Sequence, residues 1–367
     1  MNGAEERAWE IVKRAYDERP PARRARRLGT GLALAVAVAV VAAVFSPSGR
    51  AVFEHVRQAV GVEHADPALF ALPSSGRLLV VSAERGGIWL VDENGVKRRI
   101  GSYDDAEWSP HGLFLAATRA SELVALDGDD HVHWRLARLD ARWPRWEGTR
   151  TDTRIAYFAH SGLRVVAGDG TGDKLLDAHA ADVPAEWDPA PARRLAYFSG
   201  GAIVLRDADS GSTIWRAPIA VTPIALAWST DGHYLAVVST KRIVVLDAKG
   251  HVHRTVSMLG ATLLQAAFAP GTHRLAVAVR LPNRSEVRVV DVDHPGHAKL
   301  LFAGPGVFGD IAWSPDAKWL LVAWPSANQW LFLHGSRVRA VANIEQQFPR
   351  ADRLGPMLEV AGRWCCS

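Results

Sequence analysis

Cysteine is nearly absent: the chain of 367 residues has two, Cys365 and Cys366, side by side at its end. A bond between neighbours needs a strained ring, so the expectation is an unpaired or intermolecularly bridged tail and no disulfide framework. Sparse cysteine fits either side of a membrane and leaves the compartment open. The sequence also lacks a Gly-x-Ser-x-Gly nucleophile elbow, a phosphate loop and any appended hydrolase segment; acyl and phosphoryl transfer are left without their usual signatures. Excess charge is scarce as well. Of a formal net charge of +4, residues 1–27 hold +3, with eight Lys/Arg against five Asp/Glu. The remainder is nearly neutral, which argues against a nucleic-acid partner.

Long apolar runs are lacking with one exception. Leu28 to Phe45 is eighteen residues without a charge, extended to twenty-two by Ser46 to Gly49. About twenty residues cross a hydrocarbon core of about 30 Å, so residues 28–46 read as a membrane-spanning helix. Arg23, Arg24, Arg26 and Arg27 precede it and only Arg50 closely follows. The positive-inside bias then places the N-terminus in the cytoplasm and the rest outside. A cleaved signal peptide is the rival, but its charged leader does not ordinarily carry five acids. Residues 1–27 read as a short cytoplasmic segment, with Trp9, Val12 and Tyr16 on one face of an amphipathic helix. Residues 47–68 read as a second amphipathic helix carrying Val52, Phe53, Val56 and Val60, then a linker.

What is abundant is a repeat. Trp313-Ser314-Pro315-Asp316 opens a tight turn and is followed by an apolar strand. Related units begin at Phe70, Trp108, Trp146, Trp187, Trp228 and Phe268, at spacings of 38, 38, 41, 41, 40 and 45 residues. That period matches one four-stranded propeller blade. Each anchor and strand leads to another strand ending at or near an aspartate, as in GIWLVD, ELVALD, AIVLRD and RIVVLD. A turn such as Asn94-Gly95 or Lys249-Gly250 follows, and then a strand of alternating polarity. Continuously apolar strands belong between blades, and alternating ones at the wet periphery. The fold class is therefore all-β: a seven-bladed β-propeller over residues 69–367.

These units resemble the TolB-like, or WD40-like, propeller repeat, with its Trp-Ser-Pro-Asp-Gly turn and Asp-terminated strand. The resemblance covers residues 69 to about 345. The turns after Trp146 and Trp187 depart from the pattern, and the Gly-His and Trp-Asp dipeptides of true WD40 repeats do not stand at their usual places. The whole chain is similar to single-span bacterial membrane proteins with an extracytoplasmic propeller, a group that implies no particular activity.

Asp169-Gly170-Thr171-Gly172-Asp173 spaces two carboxylates as a calcium loop does, but a third ligand and a terminal glutamate are missing; its position reads as a hairpin turn. His131/His133 and His251/His253 have zinc-like spacing, yet belong to different blades. No metal, cofactor or catalytic residue is expected. The candidate ligand-binding residues are Arg142, Trp143, Arg145, Arg150 and Arg154, because guanidinium groups among indoles suit carboxylate, phosphate or sugar.

The sequence thus reads as a membrane-anchored, non-catalytic binding or scaffold module for a protein or cell-envelope ligand. Two alternatives stand beside it: a transmembrane sensor relaying capture to the Trp9 helix, and a hydrolase or lyase working in the tunnel. Residues 345–367 hold no further repeat unit. They are expected to return to the first blade, near Leu69 to Leu72 or Arg77 to Val81, and to latch the ring.

Overall fold

The computed structural model describes residues 62, 65–82, 87–190, 192–294, 296, 298–348, 358–359 and 364–366. The expected cytoplasmic segment (1–27), the expected span at 28–46 and the expected juxtamembrane helix lie outside them. Among the described residues no helix is long and apolar enough to cross a membrane.

Seven four-stranded sheets follow one another, each with all neighbouring strands antiparallel. Blades 2 to 7 use strands in sequence order, here A to D; blade 2 is Asp105–Trp108, Phe114–Arg119, Glu122–Asp127 and Val132–Ala137. Blades 3 to 7 occupy 142–177, 186–218, 225–257, 262–304 and 311–342. The A strands of successive blades touch from blade 2 to blade 7, so they form the inner wall. The burial gradient follows the expected polarity. The B strand Leu320–Trp324 is buried throughout, whereas the D strand Val132–Ala137 alternates between half-buried and exposed residues.

Side chains in the turns explain why the motif recurs. Ser314 Oγ accepts from Trp319 N at 2.9 Å and donates to Asp316 at 2.6 Å, and Ala317 N closes the turn on Ser314 O at 2.9 Å. Ala317 takes a left-handed φ of 56° where blades 2 and 5 have Gly112 and Gly232. In blades 1, 2, 4, 5 and 6 an aspartate at the end of the C strand caps the next turn. Asp247 Oδ1 accepts from the backbone N–H of Lys249 at 2.9 Å and of His251 at 2.8 Å; Asp127 does the same for Asp129 and His131. Such bonds satisfy donors that a tight turn leaves unpaired. Between blades, the Trp134 indole donates to Gly168 O at 2.9 Å and the Trp215 indole to Ala248 O at 3.0 Å. Each ring lies flat against the next blade's turn glycine, Gly170 or Gly250, where a Cβ would sit 2.8 Å from the indole.

Blade 1 is assembled from both ends of the described chain. Its outer strands are Leu78–Ser82, Ile88–Val91 and Lys97–Gly101, and Leu358–Glu359 pairs with the first of these. Farther along, Arg77 and Cys365 exchange backbone hydrogen bonds of 2.6 and 2.9 Å. This register places Trp364 opposite Leu78, as Trp108 stands opposite Leu115 and Trp228 opposite Leu235. The bond from Cys365 N to Arg77 O likewise matches that from Ser109 N to Phe114 O.

Trp364 is therefore the anchor of blade 1, which corrects the assignment of Phe70. Phe70 is 67% exposed beside the Gly95 turn, whereas Trp364 is buried. The other anchors, Trp108, Trp146, Trp187, Trp228, Phe268 and Trp313, are all buried. The sulfur atoms of Cys365 and Cys366 lie against each other. The link into the propeller is fixed as well. Asp66 pairs with Val341 of blade 7, and its carboxylate accepts from Arg339 at 3.0 Å.

Candidate functional site

The A strand of blade 3, Arg142–Gly148, runs from one face of the ring to the other. It thereby separates the five candidate binding residues. Arg142, Trp143 and Arg145 lie toward the face of the D–A links, while Arg150 and Arg154 lie at the A–B hairpin on the opposite face. Arg142 is paired with Asp182, and its guanidinium sits 5.1 Å from the Trp143 ring centroid. Trp143 adopts a left-handed φ of 52° and meets Phe158 edge-on at 5.6 Å. Arg145 donates to Glu186 at 3.3 Å and lies 3.9 Å from Glu107; burial alone would lower its pKa, but these carboxylates raise it. Arg154 donates to Asp152 at 2.6 Å and to Asp209 at 3.0 Å. Arg150 is exposed. The structure thus brings Arg142 and Trp143 together, while Arg145 turns to Glu186 and Glu107 and Arg150 and Arg154 lie elsewhere.

The 169–173 segment is a turn, with Thr171 bonding Asp169 through its backbone N–H at 2.9 Å and its hydroxyl at 2.7 Å. Asp173 points elsewhere. Its buried carboxylate accepts from Tyr157 OH at 2.6 Å, from Arg164 Nη2 at 2.6 Å and from Arg138 Nε at 2.9 Å. Burial pushes its pKa up, but these donors bring it below the usual carboxylate range. Arg138 follows the D strand of blade 2, so the cluster clamps two blades together.

Among the described residues, a constellation of potential ligands lies where the A–B turns of blades 5 and 6 meet. Asp231 Oδ2 is 2.6 Å from His233 Nδ1 and 2.7 Å from His273 Nε2. His273 Nδ1 is 2.6 Å from Asp293 Oδ2, and Asp293 Oδ1 accepts from Tyr234 OH at 3.0 Å. Burial alone would lower the His273 pKa, but its two carboxylate partners raise it; partial desolvation raises the Asp231 pKa, but hydrogen bonds from Ser229, His233 and His273 bring it below its ordinary value. His253 joins through its ring, 4.6 Å from that of Tyr234. His251 stays with Asp247 in its own turn, and His131 and His133 both face Asp127 in blade 2. Sequence reasoning passed over His233 and His273 because neither lies in a short motif. The available signal was their equivalence: each stands five residues after its anchor, 40 apart.

No protein-family model matches the chain, nor does any curated protein. Among solved structures, a chain of the Mitotic Checkpoint Complex crystal structure is similar at TM-score 0.56 and 16% identity, over 86% of this chain and 98% of that one. The Cps50 (Swd1) β-propeller domain of Myceliophteria thermophila gives 0.51 and 13%, over 66% and 85%. Kuenenia stuttgartiensis Hydrazine Synthase gives 0.51 and 15%, over 64% and 76%. At these identities the likeness shows the fold alone, a seven-bladed β-propeller with WD40-like neighbours.

Proposed function

We propose that the chain is a non-catalytic propeller that binds a protein partner through the face of its D–A links, held outside a membrane by a single span at residues 28–46. One observation carries the choice of face. Leu139, Ile224, Leu259 and Val307 all lie in D–A links, and they are 63, 38, 100 and 48% exposed. Apolar side chains presented repeatedly on one face suit contact with another protein. The A–B and C–D turns opposite carry mostly carboxylates and histidines, with exposed apolar side chains at Val96 and Leu113 as well. The Mitotic Checkpoint Complex neighbour, by its name, works in a protein assembly. One neighbour is a synthase, which keeps a turnover screen among the useful controls. The anchor rests on the uncharged run and its four flanking arginines.

The test is site-specific photo-cross-linking in intact cells, with a benzophenone residue at 139, 259 or 307, and at Lys249 on the opposite face. A discrete heavier adduct is expected from the first three positions and not from 249. Leu259→Asp should abolish the adduct from 307 without changing the melting temperature. Adducts at no position, or equally at 249, overturn the reading. Separately, a reporter fused after Ser367 should read as extracytoplasmic, and neutralising Arg23, Arg24, Arg26 and Arg27 should give mixed orientation. A cytoplasmic signal from the unmodified fusion overturns the topology.

A further inference from the structure

We propose that Asp231, His233 and His273 form a binding site for one divalent transition-metal ion of the zinc class, tying the turns of blades 5 and 6 together. The two oxygens of Asp231 have separate tasks. Oδ1 accepts from Ser229 Oγ at 2.7 Å and from His233 N at 3.1 Å, which fixes the carboxylate within its turn. Oδ2 faces the two imidazoles. The turn itself is confined, since Gly232 has φ 72° and a Cβ there would come within 2.9 Å of Asp188 Oδ1.

His273 is oriented as a metal ligand would be. Asp293 engages its Nδ1 at 2.6 Å and is itself held by Tyr234 OH at 3.0 Å, leaving Nε2 directed at Asp231. A carboxylate behind a ligating histidine fixes the tautomer and strengthens the outward nitrogen as a donor. His251 and His294 stay with Asp247 and Asp291 and do not compete.

The donor set selects the metal. Two imidazole nitrogens and one carboxylate oxygen suit zinc and its neighbours, with water completing the shell, whereas calcium and magnesium prefer oxygen alone. The three ligand atoms lie within 4.8 Å of one another. Bonds of about 2.1 Å to a tetrahedral ion would set them about 3.4 Å apart. The present separations from Asp231 Oδ2, 2.6 Å to His233 and 2.7 Å to His273, would widen by about 0.7 Å on binding, and the His233 imidazole, 69% exposed, has room to shift.

The experiment uses the full chain in detergent, stripped with chelator and titrated by calorimetry with ZnCl2, CaCl2 and MgCl2. One equivalent of zinc should bind more tightly than either of the others. Binding should weaken at least tenfold in both His233→Ala and His273→Ala. Asp293→Asn should weaken it about 10- to 100-fold at unchanged stoichiometry, while the paired change of His131 and His133 to Ala should leave it unaltered. Co2+ should give a tetrahedral d–d spectrum that is lost in His233→Ala; this exposed turn variant keeps the test sound should the His273 variant unfold. The proposal is overturned by absence of zinc binding, by binding indifferent to His233→Ala, or by preference for calcium.

Discussion

Between blades 2 and 3, Arg138, Arg164 and Tyr157 converge on the buried carboxylate of Asp173. Between blades 7 and 1, Trp89, Trp330, Phe332, Phe348 and Trp364 pack among aliphatic side chains in one apolar cluster. The charged seam joins Arg138 to Asp173, 35 residues apart, so little loop entropy opposes it. The apolar seam joins residues separated by most of the chain. Its closure costs more entropy, and a large non-directional area suits that task better than a few contacts requiring exact orientation. Both seams have apolar packing, that between blades 2 and 3 including Leu123, Trp146, Ile155 and Tyr157, so the contrast shows that a repeating architecture can add a charged cluster to one interface and not to another.

The largest effect should come from opening the apolar seam. Deleting residues 346–367 removes Phe348, Trp364 and the strand paired with blade 1, leaving an unpaired edge. The melting temperature should fall by more than about 10 °C, in one cooperative step. A truncated chain that melts like the intact one would show that this seam does not close the ring.

Breaking the charged seam should come next. Asp173→Ala leaves Arg138 and Arg164 without their shared carboxylate and should cost about 3–5 kcal/mol in denaturant titration. A loss below about 1 kcal/mol would mean that water replaces the carboxylate and that charge does not hold this seam. Trp313→Ala should have a similar or slightly smaller effect, about 3–5 kcal/mol, through the cavity left and the lost 3.1 Å bond to Ala267 O. Trp143→Ala, half-buried and outside the anchor register, should cost about 1 kcal/mol. Equal losses at the two tryptophans would erase the distinction between anchors and the rest.

The blades were legible because the period, the turn chemistry and the terminal aspartates all indicate one repeat. Legibility failed at the end of the chain. Trp364 is followed by Cys-Cys-Ser in place of Ser-Pro-Asp, so its unit has no recognisable turn, and Phe70 fitted the spacing better. The arginine stretch looked like a site because its members are close in sequence, but one strand carries them between opposite faces. Asp231, His233 and His273 posed the reverse problem: neighbours in space come from two blades, and only comparison of equivalent positions relates them.

The smallest effect refines the comparison by pH. Glu147, on the same A strand as Arg142, has its pKa pushed up to about 7 by burial; Arg193 and Arg154 oppose the shift, whereas Asp209 and Asp188 add to it. In the unfolded chain the group titrates near 4.5. Below that value both states hold the proton and pH has no effect through this group. Between 4.5 and about 7 the folded state retains a proton that the unfolded state has lost, so stability falls as pH rises; above that window the loss is complete. Glu147→Gln removes this dependence. Relative to the parent, the variant should gain on the order of 1–2 kcal/mol between pH 4.5 and 7.5, a figure discounted because the side chain is partly solvated. Measuring the difference between the two proteins cancels the histidines and the acids with lowered pKa values. A difference that stays constant over this range would mean that Glu147 is ionised throughout and that this part of the ring tolerates a buried charge without neutralising it.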